Sequence, residues 1–203
     1  MSARRVSLEL DGLRLAAEVY IPKGEGRHPA VCICHGVPAK RTPEPGDRGY
    51  PLLAERFSSE GFVSLIFNFR GTGDSEGNFD MLGWTRDLKA AIDYLYQLDE
   101  VDKSRLSLVG FSGGAMASVY VAAHDKRITS LVACACPARF FDISEFSRFE
   151  EFLAHCRQVG IIRDSNFPPS VESWARGFDE VKAIKWIHKI APRPLLIVHG
   201  DND

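Results

Sequence analysis

Hydrophobic and polar positions change their period repeatedly along this chain, and the changes mark out its elements. Val6 to Leu10 and Leu13 to Ile21 alternate on either side of Asp11-Gly12, the two-residue signal of a hairpin. Ala30 to Cys34 is a short continuous apolar run, which predicts a strand buried on both faces. A helix is expected near 51–60, with Pro51 at its start and Gly61 at its end. Phe62 to Phe69 reads as the next strand. Between Trp84 and Leu98, Leu88, Ile92, Leu95 and Tyr96 share one helical face. Leu106 to Val109 is again a strand, Ala115 to Ala123 a helix, Ile128 to Ala135 a strand, and Leu195 to Val198 a last one. Regular strand–helix alternation after an opening hairpin predicts an α/β fold, a mostly parallel sheet with helices on both faces.

Three strand ends carry candidate chemistry. Gly110-Phe111-Ser112-Gly113-Gly114 lies between a strand and a helix, the context of a nucleophile elbow. Such a turn projects the serine hydroxyl, and its glycines let neighbouring backbone pass. The helix that follows aims its first N–H groups at the same point. His35-Gly36-Val37-Pro38 follows the 30–34 strand, where a second oxyanion donor is supplied in acyl-transfer enzymes of this architecture. The expected donors are the backbone N–H groups of Val37 and Gly113. His35, at the base of that loop, reads as structural. The third strand end is Leu195 to Asp203, an apolar run leading into His199-Gly200-Asp201-Asn202-Asp203. A carboxylate to orient an imidazole is expected there in the chain order Ser, Asp, His.

HGVPAK at 35–40, NFRGTGDSEG at 68–77, GFSGG at 110–114 and LLIVHGDND at 195–203 together resemble the α/β-hydrolase superfamily, in particular its intracellular esterase and acyl-peptidase-like branch. The resemblance spans nearly the whole chain. It implies Ser112 as nucleophile, Asp203 as acid with Asp201 as the fallback, and Val37 with Gly113 as oxyanion hole. It also implies a catalytic histidine beyond the acid, and no histidine follows Asp203. The expectation is therefore a fragment that lacks the last strand, the histidine loop and the final helix. Of the six histidines, His155 and His188 are the candidate substitutes. An unpaired edge at Leu195 to Val198 would invite pairing with a second copy, hence a homodimer.

The stretch from Cys136 to Pro194 is too long for a plain loop. Phe146, Phe149, Phe152, Leu153 and Cys156 fall at helical spacing, Phe167-Pro168-Pro169 marks a break, and Trp174 and Phe178 add aromatic surface. Members of the superfamily carry a cap at this point, which implies a small helical cap at 138–178 on a core of 1–137 and 179–203. Phe146, Phe149 and Trp174 are the candidate substrate-binding residues, for an ester with a hydrophobic portion.

Composition narrows the classes without naming a substrate. The 203 residues, 45% apolar, make one soluble domain. A net charge of −2 with mixed signs argues against nucleic acid or an anionic membrane as partner. Met1 to Val6 has no apolar signal region and no run is long enough to span a membrane, so a cytoplasmic protein is expected. Cys32 and Cys34 share one sheet face, as do Cys134 and Cys136, and neither spacing is a zinc knuckle; all five cysteines read as buried thiols with no metal. Gly71-Thr72-Gly73 after a strand offers a competing phosphate loop, but the third glycine arrives late. The function expected is acyl transfer from a carboxylic ester to water without a cofactor, weak in this chain for want of its base. A non-catalytic ligand-binding protein and an amide or peptide hydrolase are the alternatives.

Overall fold

The computed structural model describes residues 2–38, 47–140 and 146–201. Its seven strands are β1 (Ser2–Leu10), β2 (Leu13–Ile21), β3 (His28–Cys34), β4 (Val63–Phe67), β5 (Val101–Phe111), β6 (Ile128–Cys134) and β7 (Leu195–Val198). They form one sheet in the order β1-β2-β4-β3-β5-β6-β7, with β1, β2 and β4 antiparallel in turn and every other pairing parallel. The helices among the described residues are α1 (Gly49–Ser59), α2 (Met81–Gln97), α3 (Gly113–His124), α4 (Phe146–Gln158), α5 (Val171–Val181) and the single turn α6 (Ala183–Trp186). Alternation within β3 divides the core. Cys32 and Cys34 face the large cluster under α2, α3 and α5, whereas Val31 and Ile33 face a smaller one under α1.

Several boundaries differ from the hydrophobic pattern for local reasons. The second long helix starts at Met81, before the expected Trp84, because the Asp80 carboxylate caps it by accepting from the Gly83 N–H at 2.9 Å. β6 stops at Cys134, and Ala135 takes φ +45°, so Cys134 and Cys136 do not alternate along one strand as the spacing implies. Among the described residues β7 pairs only with β6, and Leu196, Ile197 and Val198 are at least half exposed. Between β6 and β7, α4 and α5 do not enclose a separate core. Phe149, Leu153, Trp174 and Phe178 join the main cluster, with Phe79 as the central ring.

The opening hairpin is locked onto this core by charge. Asp11 and Gly12 take φ of +54° and +72°, as a tight two-residue hairpin turn requires. The Asp11 carboxylate then accepts from Arg70 at 2.8 Å and Arg86 at 2.9 Å. Arg70 also forks onto fully buried Asp87 at 2.7 and 2.9 Å. Burial pushes the Asp87 carboxyl up, and the Arg70 hydrogen bonds oppose that push. Replacing Arg70 by Met strands a buried carboxyl, so Arg70→Met is expected to lose about 3–5 kcal/mol in urea unfolding at pH 8. Without Arg70, the folded-state pKa of Asp87 rises further above its unfolded value. The penalty should therefore shrink as the pH falls and Asp87 takes a proton. A penalty below about 1 kcal/mol at pH 8, or one that grows on acidification, contradicts this account.

Candidate active site

β5 runs without interruption into Ser112, which sits at the carboxyl edge of the parallel strands with φ +48° and ψ −119°. A non-glycine residue there costs about 1–3 kcal/mol and is held only by its surroundings. Its N–H donates to Cys134 O at 2.9 Å, and its carbonyl accepts from Ala115 and Met116 to start α3. The neighbouring glycines explain how so sharp a turn fits. A Cβ on Gly110 would stand 2.6 Å from Ala115 Cα, and one on Gly114 would stand 2.6 Å from Cys34 O and collide with His35 O. The serine side chain is exposed at the tip.

The loop after β3 lies against this elbow. A Cβ on Gly36 would be 3.1 Å from Ser112 Cβ, and one on Gly113 would be 3.0 Å from Val37 Cγ2. The fold thus brings together Ser112, Val37 and Gly113, three of the residues expected to share a site. His35 sets the loop's conformation. Its buried ring lies edge-on to Phe69 and Trp84, at centroid distances of 5.1 and 5.5 Å. Nε2 accepts from the Phe69 N–H at 3.2 Å, so the proton sits on Nδ1, which donates to Gly36 O at 2.7 Å. In a trans peptide, carbonyl and N–H point in opposite directions. Turning Gly36 O onto the ring therefore turns the Val37 N–H away from it. Among the described residues neither the Val37 nor the Gly113 N–H has a protein acceptor. Two donors are left open beside a projecting hydroxyl, the arrangement an oxyanion needs.

The other expected site residues are more dispersed. Asp203 and the side chain of Phe146 lie outside the described residues. β7 nevertheless delivers Asp201 to the same end of the sheet, with Val198 O accepting from the Ala135 N–H at 2.7 Å. Phe149 and Trp174 are buried at 1% and 4% exposure. The Trp174 indole donates to Phe79 O at 3.0 Å, and neither ring lines the cleft of about 390 Å³ beside the loop. His155 is exposed on α4, and His188 is exposed in the turn 187–189 that packs along α3. His28 opens β3 and His124 closes α3, each at the end of its element away from Ser112. His199 follows β7, two strands from β5, or about 10 Å across the sheet.

Three N–H groups of the glycine-rich loop are committed within the turn and are not available to a phosphate. The N–H groups of Gly71, Thr72 and Ser75 are spent on Glu76 O, Phe69 O and Thr72 O. Tyr50, on α1, is not singled out by the sequence pattern. Its half-buried hydroxyl accepts from the Gly36 N–H at 3.4 Å and lines the cleft, and burial raises its pKa, which keeps it protonated.

Residues 11–147 match the X-Pro dipeptidyl-peptidase (S15) family, and the chain belongs to it. Among curated relatives it is 32% identical over 136 residues to the quorum-quenching protein AidA of Acinetobacter baumannii, a match covering 65% of this chain and 43% of that protein. It is 30% identical over 153 residues to a thiohydrolase of Eupenicillium brefeldianum, covering 73% of this chain and 47% of the other. The match thus spans less than half the length of either relative. Among solved structures, the α/β hydrolase GrgF from Penicillium sp. sh18 superposes with a TM-score of 0.73 at 20% identity, over 99% of this chain and 81% of that one. Est1E from Butyrivibrio proteoclasticus superposes with 0.70 at 22% identity, over 98% and 78%. The fold is that of the α/β-hydrolases.

Two outcomes follow from this geometry. Gly114→Ala should unfold the elbow or lower stability by about 2 kcal/mol or more, because backbone rather than a side chain blocks the added methyl. An unchanged thermal midpoint contradicts it. The second concerns His35, whose pKa burial holds below the ordinary value of about 6.5. The unfolded chain binds the proton first, so folding stability should fall as the pH drops below about 6.5, until the depressed native pKa is reached. His35→Gln should flatten that part of the profile. An equally steep loss in the variant would place the titration elsewhere.

Proposed function

We propose that this chain carries the acyl-transfer centre of a serine hydrolase acting on carboxylic esters with a hydrophobic portion. Ser112 Oγ attacks the ester carbonyl and a base takes its proton. The Val37 and Gly113 N–H groups hold the oxyanion, and the leaving alcohol takes a proton as the C–O bond breaks. Water then cleaves the acyl-serine by the same steps. The observation that supports this reading is a serine held at positive φ beside the Val37 and Gly113 N–H groups, neither of which has a protein acceptor among the described residues. Asp203 is assigned as the carboxylate that orients the base. The thiohydrolase names of two relatives support an activated acyl carbonyl as the target.

The base is the unfilled role. His35 is committed to Phe69 and Gly36. His28, His124, His155 and His188 stand on elements away from the elbow, and His199 follows β7, two strands across the sheet from β5. Loss of the histidine from a serine triad costs about six orders of magnitude in kcat. We therefore assign the base to a histidine beyond these residues, in a further segment or another subunit, and slow turnover to this chain alone. The peptidase name of the family favours a second reading, hydrolysis of an amide after proline, through the same Ser112.

The test is hydrolysis of p-nitrophenyl acetate with and without added imidazole, alongside a Xaa-Pro nitroanilide, with Ser112→Ala as control. The expected result is a weak Ser112-dependent rate on the ester that imidazole, as a diffusible base, raises. Rapid turnover without imidazole would assign the base to this chain, with His155→Ala and His188→Ala next. Preference for the nitroanilide would favour the second reading. No Ser112 dependence under any condition overturns the proposal.

A further inference from the structure

Arg163 lies in the connection between α4 and α5, far along the chain from every residue of the elbow, yet it is bonded into the loop that borders it. Its Nη1 donates to Ser75 O at 3.0 Å and its Nη2 to Gly73 O at 2.9 Å and Gly71 O at 3.3 Å. Its Nε donates to Gly160 O at 3.2 Å within its own segment. One guanidinium therefore gathers three carbonyls of a single turn, which a planar fork of donors does and an ammonium does not. Alongside it, the Arg163 and Asp164 N–H groups both donate to Asn78 Oδ1, at 2.7 and 3.0 Å, and the Phe79 N–H donates to Ile161 O at 2.8 Å.

The turn so gathered is the one that holds His35. Thr72, buried between Gly71 and Gly73, places Oγ1 3.1 Å from His35 Nε2 and donates to Phe69 O at 2.7 Å. The Thr72 N–H reaches the same carbonyl, and the Phe69 N–H is the donor to His35 Nε2. His35 in turn fixes Gly36 O and with it the direction of the Val37 N–H. Hydrogen bonds, joined by the short peptide segments between them, link the α4–α5 connection to the Gly36–Val37 peptide.

We propose that Arg163 is a positioning residue for the oxyanion loop, bracing the 71–75 turn that sets His35 and thereby the Val37 N–H. This rests on the reading of Ser112 as nucleophile. Substrate does not touch Arg163; the residue acts through the turn. It also makes the helical segment between β6 and β7 a brace for the catalytic backbone. A ligand that shifts that segment would then alter the rate as well as binding.

The test uses Arg163→Met and Arg163→Lys with two readouts. The first is the Nδ1 and Nε2 chemical shifts of His35 in ¹⁵N-histidine-labelled protein, assigned with His35→Gln. The second is the rate of Ser112 acylation by p-nitrophenyl acetate in imidazole, with thermal midpoints recorded for both variants. The expected result is a displaced His35 signal and acylation slowed about 10- to 100-fold in Arg163→Met, with the midpoint near wild type. Arg163→Lys, which keeps the charge but not the fork, should fall between the two, and it serves alone if the Met variant does not fold. Unchanged His35 signals and an unchanged rate in a folded variant overturn the proposal. If wild-type Ser112 is never acylated, the reading of Ser112 fails by itself, and the His35 signals still decide the role of Arg163.

Discussion

The close approach of three backbone segments at the carboxyl end of β5 is the constraint on which the site depends. The elbow can turn only because Gly110 and Gly114 let Ala115 and the end of β3 come nearer than any Cβ permits. That approach places Ser112 and the Gly36–Val37 loop side by side and starts α3 at Gly113, directly after the serine. The parallel pairing of β3, β5 and β6 supplies the rigid floor beneath them. Strain at Ser112 is thus sustained by a sheet that is buried on both faces and cannot relax locally.

The second layer of organisation is a set of polar groups with no freedom left. His35 is neutral, buried and bonded at both ring nitrogens, so it serves as a fixed strut and has no lone pair to spare for proton transfer. Arg70, Asp87 and Asp11 perform the same service one turn away, joining the opening hairpin, the loop after β4 and α2. Trp84 completes the wall by stacking on Phe69 at 4.3 Å while its indole donates to Arg70 O. Polar commitment of this kind specifies one loop conformation more sharply than apolar packing does.

Much of this arrangement is legible in the sequence, and the limits have physical causes. The elbow could be read because a serine between glycines at a strand–helix junction has few other uses, and its strand and helix announced themselves by period. Val37 and Gly113 could be placed beside the serine because their positions follow from chain order. The aromatic residues between β6 and β7 were harder. Helical spacing reports that Phe149 and Trp174 share a buried face, but a ring packed on Phe79 and a ring lining a pocket have the same spacing. Arg163 and Tyr50 carry no local signal, and Thr72 stands in a glycine-rich motif that does not reveal its partners. Their roles arise from contacts across 14 to 92 positions of chain, which only the folded geometry reveals.

The account stands on two N–H groups being poised for one oxygen. The most direct measurement is a crystal structure of this chain after Ser112 has reacted with a small alkyl fluorophosphonate. The account predicts a phosphoryl oxygen within about 2.7–3.1 Å of both the Val37 and Gly113 nitrogens, with the His35 ring and the Gly36 carbonyl unmoved. An adduct on Ser112 whose oxygen points to solvent, or a loop that must flip its Gly36–Val37 peptide to reach it, would contradict the claim that the site is preformed.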